Sequence, residues 1–150
     1  MDEGSKIPDV SVTIDDAVVS LASLGAPLVV YFYPKDDTAG CTTEAKDFSA
    51  LSDAFSAAGV TVVGVSKDSP ASHAKFTAKH ELAVRLASDV EGVACEAFGV
   101  WVEKAMYGRK YMGIERATFL FGADGTLAKA WHKVRVAGHA ETVLAAAKAL

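Results

Sequence analysis

Leu28-Val29-Val30-Tyr31-Phe32-Tyr33-Pro34-Lys35-Asp36-Asp37-Thr38-Ala39-Gly40-Cys41-Thr42 changes character at its midpoint. Its first six residues form a continuous apolar and aromatic run, the pattern of a central strand covered on both faces. A polar turn follows. Beyond it, Phe48, Leu51 and Phe55 recur at i, i+3 and i+7, which predicts one amphipathic helix from Thr42 to Ala57, stopped by Gly59. A buried strand therefore delivers a single cysteine to the start of a helix.

Outward from this unit, strands and helices alternate. Ser11 to Ile14 and Val18 to Leu21, around Asp15-Asp16-Ala17, read as an N-terminal hairpin. Val60 to Val65 is a second buried strand. Ser69-Pro70 opens a helix to about Lys79, with Pro70 at its first position. Val84 to Leu86 reads as a brief strand and Val90 to Phe98 as a short helix. Arg116 to Phe121 and Thr126 to His132 form a hairpin around Ala123-Asp124-Gly125, and Gly138 to Leu150 is an Ala-rich helix. The alternation predicts an α/β sandwich with a mixed sheet flanked by helices. At 150 residues, with no linker, repeat or low-complexity segment, residues 1–150 read as one domain.

Bulk properties narrow the function classes. Hydrophobic residues make up 51% and charged residues 23%, far from the composition of a disordered chain. A net charge of −4 without a basic stripe argues against a nucleic-acid partner. The polar start Met1-Asp2-Glu3-Gly4-Ser5-Lys6 lacks a signal-peptide pattern, and no run is long enough to span a membrane, so the expected compartment is the cytoplasm. Two cysteines do not make a secreted disulfide scaffold.

The residues alone leave Cys41 two readings. One is an ordinary buried thiol beside a turn. The other is a reactive thiolate, because helix N-termini present unpaired N–H groups and partial positive charge. A family resemblance bears on that choice. Pro34, Thr38 and Cys41 match the Pro-x-x-x-Thr/Ser-x-x-Cys signature of peroxiredoxins. The segments Phe98-Gly99-Val100-Trp101 and Tyr107-Gly108-Arg109-Lys110-Tyr111-Met112-Gly113-Ile114-Glu115-Arg116-Ala117-Thr118-Phe119-Leu120 resemble the peroxiredoxin Q branch, also called bacterioferritin-comigratory protein. The likeness runs from about Ile7 to the C-terminus. It implies a thioredoxin-like three-layer sandwich and a thiol peroxidase that reduces hydrogen peroxide and organic hydroperoxides, with no metal or other cofactor. It also implies a monomer.

The resemblance places Arg116 beside Cys41. Lowering a cysteine pKa by two units from about 8.5 takes about 2.7 kcal/mol. A helix terminus supplies about 0.3–1 kcal/mol, and up to about 2 in a partly buried site. A Thr38 hydroxyl donor and the Arg116 cation are the expected supplements. Full ionisation raises reactivity only about thirtyfold at pH 7, so acidity cannot be the main source of rate. The rest should come from donors aimed at the two peroxide oxygens: the Cys41 N–H, the Thr38 hydroxyl and the Arg116 fork. Pro34 is expected to shape the turn and shield the sulfur. Glu44, three residues on, either ties down the site by hydrogen bonding or is an acid favouring the first helical turn.

The fate of a Cys41 sulfenic acid is where this chain departs from its relatives. Many peroxiredoxin Q proteins carry a resolving cysteine five residues after the first, where this chain has Lys46. Others carry it in the following helix, and no cysteine lies between Phe76 and His80. The remaining thiol, Cys95, reads either as a resolving partner or as a buried helical cysteine packed beside Phe98. One-cysteine behaviour is expected, with thioredoxin, glutaredoxin or a small thiol as external reductant. A thiol–disulfide carrier is disfavoured by the lack of a Cys-x-x-Cys pair. A noncatalytic redox sensor is disfavoured by the intact set Pro34, Thr38, Cys41 and Arg116.

Other features read as ordinary. His73, His80, His132 and His139 have no metal-ligand spacing, and none is placed to form a protease dyad with Cys41. Asp36 and Asp37 read as solvated turn residues. Trp101, Tyr107, Tyr111 and Met112 fit either a groove for organic hydroperoxides or core and loop packing.

Overall fold

The computed structural model describes residues 1–150. Strands β1 (Ser11–Ile14) and β2 (Ala17–Ser20) form the expected hairpin. Its turn residues Asp15 and Asp16 sit at φ 47° and 60°, which short polar side chains tolerate best. After a 3-10 turn come β3 (Leu28–Phe32), helices α1 (Ala39–Ala50) and α2 (Ser52–Ala57), and β4 (Thr61–Ser66). Then follow α3 (Pro70–His80), β5 (Arg85–Ser88), α4 (Val93–Ala97), β6 (Trp101–Met106), β7 (Arg109–Ile114), β8 (Ala117–Phe121), β9 (Leu127–Trp131) and α5 (His139–Lys148).

Seven strands make one mixed sheet in the order β2-β1-β5-β4-β3-β8-β9. β3, β4 and β5 are parallel to their neighbours in that trio, and the other pairings are antiparallel. The chain steps from β3 to β4 through α1 and α2, then from β4 to β5 through α3. Both crossovers move the same way across the sheet, so a common hand puts these helices on one face. β3 is buried along its whole length and feeds both cores. Val29 and Tyr31 face a cluster with Phe48, Phe55, Phe76 and Val143 from α1, α2, α3 and α5. Leu28, Val30 and Phe32 face another with Ala94, Cys95 and Phe98 from the α4 segment. The result is a three-layer α/β sandwich whose second helical layer is thin.

The chain departs from the sequence reading in two places. The single helix over 42–57 is broken at Leu51, whose N–H is shared between the Asp47 and Phe48 carbonyls (3.3 and 3.2 Å). This tightened turn lets Phe48 and Phe55 enter one cluster with rings 5.9 Å apart. The β6–β7 hairpin was not anticipated, and it forms a separate two-stranded sheet beside the site. α3 begins as expected, with the Ser69 side chain accepting from the Ser72 N–H (3.1 Å) and Pro70 in the first turn. No helix is long and apolar enough to cross a membrane.

Candidate active site

The turn from β3 to α1 ends at Thr38, which caps the helix in an extended conformation (φ −90°, ψ 157°). Cys41 is the third residue of α1 and is 2% exposed. The first helical bond runs from the Thr42 N–H to the Thr38 carbonyl (2.8 Å), so the Cys41 N–H has no acceptor within the helix. Gly40 precedes it for a steric reason. A Cβ there would lie 3.3 Å from Arg116 Nη2, tight enough to push the guanidinium away.

Arg116 arrives from the junction of β7 and β8, 75 residues away in sequence, and its carbonyl accepts from the Val134 N–H (2.9 Å). Nη2 donates to Cys41 Sγ at 3.3 Å, while Nη1 donates to Glu44 Oε1 at 2.7 Å. One planar group thus bridges sulfur and carboxylate, a geometry that a lysine ammonium cannot copy. Glu44 is only 1% exposed and lies beyond the first turn of α1, so it braces Arg116. Burial pushes the Glu44 carboxyl up to about 7, against the lowering pull of Arg116. Its second oxygen, Oε2, has no partner.

Thr38 is placed differently from the expectation. Its hydroxyl donates to the Lys35 carbonyl oxygen (3.0 Å), so its proton is directed away from the sulfur. Pro34 lines a cleft of about 380 Å³ with Lys67, Trp101, Lys104, Tyr111 and Met112. Trp101, Tyr111 and Met112 therefore form a partly apolar wall next to the turn, whereas Tyr107 is 97% exposed at the tip of the β6–β7 hairpin.

Cys95 lies elsewhere. It is fully buried in α4, within the cluster on the opposite face of the sheet from Cys41. Burial and hydrogen bonding to Asp89 push its thiol well up, the reverse of what a reactive cysteine needs.

The reading of Asp37 as an exposed turn residue holds, whereas that of Asp36 needs correcting. Asp36 is buried against α3, where His73, Ser72 and Tyr33 surround its carboxylate. Asp37 is held at φ 58° by Lys79 Nζ (2.7 Å) and His80 Nε2 (2.8 Å). Turn composition favoured solvent at these positions. The helical partners lie about forty residues on, and no local pattern marks them. His139 is a core histidine, pushed down to about 4 by burial and then by the Arg116 charge, with Nε2 2.7 Å from Thr118 Oγ1.

Residues 4–130 match the AhpC/TSA family. The chain belongs to that family. Within it, the chain is 54% identical over 128 residues to peroxiredoxin Bcp of Xanthomonas campestris, a match covering 85% of this chain and 80% of that protein. It is 45% identical over 143 residues to peroxiredoxin Bcp of Bacillus subtilis, covering 94% and 91%. Among solved structures, a Xanthomonas campestris peroxiredoxin Q superposes with a TM-score of 0.90 at 46% identity, over 99% of this chain and 98% of that one. Peroxidoxin BcpB of Mycobacterium tuberculosis gives 0.86 at 28%, over 100% and 98%. The sandwich is therefore the thioredoxin-like fold of the peroxiredoxin Q branch, and this peroxiredoxin is a thiol-dependent peroxidase.

Proposed function

We propose that this peroxiredoxin reduces hydrogen peroxide and organic hydroperoxides through Cys41 alone, with an external thiol restoring the enzyme. The observation that carries the reading is the Glu44–Arg116–Cys41 bridge at 2.7 and 3.3 Å, at the N-terminal end of α1. The Cys41 thiolate attacks one peroxide oxygen and an S–O bond forms as the O–O bond breaks. The leaving oxygen takes both bonding electrons and a proton, and departs as water or an alcohol. Arg116 and the Cys41 N–H supply donors where that negative charge grows. The Thr38 hydroxyl donates its hydrogen bond to the Lys35 carbonyl, so it offers lone pairs to the peroxide O–H. The cleft beside Pro34 gives an alkyl substituent an apolar wall. A Xanthomonas relative is described for alkyl peroxide reduction, which supports that substrate range.

The product on the enzyme is a Cys41 sulfenic acid. Two thiol groups, both from one dithiol protein such as thioredoxin or glutaredoxin or one from each of two small-molecule thiols, return it to the thiol, releasing water and the donor disulfide. Cys95 takes no part, because its layer is separated from Cys41 by the sheet. The deciding measurement is intact mass after one equivalent of hydrogen peroxide with a sulfenic-acid trap present. One trap on Cys41 is expected. Loss of two hydrogens with Cys41 joined to Cys95 would replace this reading with a two-cysteine cycle. In parallel, Cys41→Ser should abolish thiol-dependent peroxide consumption, and retained turnover would sink the site assignment.

A further inference from the structure

A buried polar cluster lies behind the peroxide turn. The Asp36 carboxylate accepts from the Tyr33 hydroxyl at Oδ1 (2.6 Å), and from the Ser72 hydroxyl (2.8 Å) and His73 Nδ1 (2.7 Å) at Oδ2. The Asp36 N–H donates to Asp68 Oδ2 (2.9 Å), itself held by the Ser66 hydroxyl (2.7 Å). The far ring nitrogen, His73 Nε2, lies 3.1 Å from the Ala87 carbonyl oxygen. Nδ1 thus faces the Asp36 carboxylate and, at 3.3 Å, the Tyr33 hydroxyl, while Nε2 faces the Ala87 carbonyl. The closed cluster is a buried histidine–carboxylate contact, with side chains 6% and 4% exposed. Burial works to raise the Asp36 carboxyl, and the bonds from His73, Tyr33 and Ser72 outweigh it and hold it below the ordinary range.

We propose that His73 is a positioning residue for peroxide reduction: its ring clasps Asp36 and so fixes the Pro34–Thr38 turn against α3. The proposal rests on the Cys41 reading above and adds a residue that touches neither sulfur nor peroxide. The turn that carries Pro34 and Thr38 has no strand or helix ladder of its own. Asp37 within it adopts a left-handed backbone and is tied to α3 by Lys79 and His80 at the surface. Asp36 adds the buried anchor from the middle of the turn. Around the ring stand Asp36 from the turn, Tyr33 from the end of β3, Ser72 from α3 and the Ala87 carbonyl from β5. Asp15 and Arg85 line the cleft outside it.

The test is the second-order rate of Cys41 oxidation by hydrogen peroxide at neutral pH, followed by rapid quench and mass, for wild type, His73→Asn and His73→Phe. The asparagine amide occupies the place of Nδ1 and gives Asp36 a donor. His73→Asn should keep the wild-type rate. His73→Phe should lose about 10²-fold through misplacement of the turn. Should the phenylalanine variant not fold, Asp36→Ala, which removes the clasp from the turn side, should show the same loss. A wild-type rate without the clasp, or an equal loss in His73→Asn, overturns it. Wild-type protein that forms no Cys41 sulfenic acid would overturn the peroxidase reading instead, so the two failures are distinguishable.

Discussion

Arg116 does two jobs with one planar group, and each rests on a different nitrogen. Nη1 is anchored by Glu44 and Nη2 is left to reach the sulfur. Arg116→Lys keeps the charge but can satisfy only one partner. Its rate of Cys41 oxidation should fall by about 10²–10³-fold, the usual loss for one preorganised donor, and a rate near wild type would show that charge alone suffices. Glu44 carries a second, pH-dependent consequence. Burial raises it from its ordinary 4.5 to about 7, so between those values the folded chain binds more protons than the unfolded one. Stability from this group is therefore greatest at low pH and declines as pH rises from about 4.5 to 7, by up to about 3 kcal/mol. Glu44→Gln removes the titration and retains an acceptor for Arg116. Urea unfolding of the variant between pH 4.5 and 7 should be flatter than wild type; an unchanged slope would assign the dependence elsewhere.

The strands that hold the site apart depend on one close approach. Tyr31 pairs in register with Gly64 of β4, and a Cβ on Gly64 would lie 2.5 Å from the Tyr31 ring. That ring stacks on Phe48 of α1 at 4.5 Å and is fully buried, so it has nowhere to move. Gly64→Ala should cost about 1–3 kcal/mol of unfolding free energy, read from the urea midpoint at constant slope, and an unperturbed midpoint would mean that β3 and β4 can slide apart. Elements of this kind were legible from sequence because burial on both faces leaves an unbroken apolar run, as in residues 28–33. The β6–β7 hairpin was not legible. Glu103, Lys104, Arg109 and Lys110 interrupt its alternation, and most of its residues contact solvent. Its one local signal was Tyr107-Gly108, a two-residue turn with both φ positive (52° and 75°). The kink at Leu51 left no mark, since Phe48, Leu51 and Phe55 keep helical spacing through it.

At the scale of the whole molecule, the site is assembled from parts that no local pattern joins. Pro34, Thr38 and Cys41 share one turn, so a single short signature was enough to propose them together. Arg116 was readable only through family resemblance, and the Asp36–His73 contact spans 37 residues with nothing in composition to announce it. The same long-range assembly is the basis of the one-cysteine reading proposed for the oxidised sulfur. β3 sends alternate side chains to two separate cores, and each core contains one cysteine. A disulfide needs Cα atoms within about 7 Å, so joining Cys41 to Cys95 would require one of them to cross the sheet. β3, which feeds both cores, is buried along its length and paired with β4 and β8 on its two sides, so the crossing amounts to opening the sheet rather than fraying a helix. Cys95→Ala should therefore leave peroxide turnover with an external thiol unchanged while lowering stability by about 1–2 kcal/mol from the cavity it opens. In non-reducing mass spectra, peroxide-treated wild type should show sulfenic or further-oxidised Cys41 and a free Cys95. A variant that lost turnover with its fold intact would mean that the two layers exchange thiols in the native state, and the separation of the cores would have to be abandoned as the basis for one-cysteine chemistry.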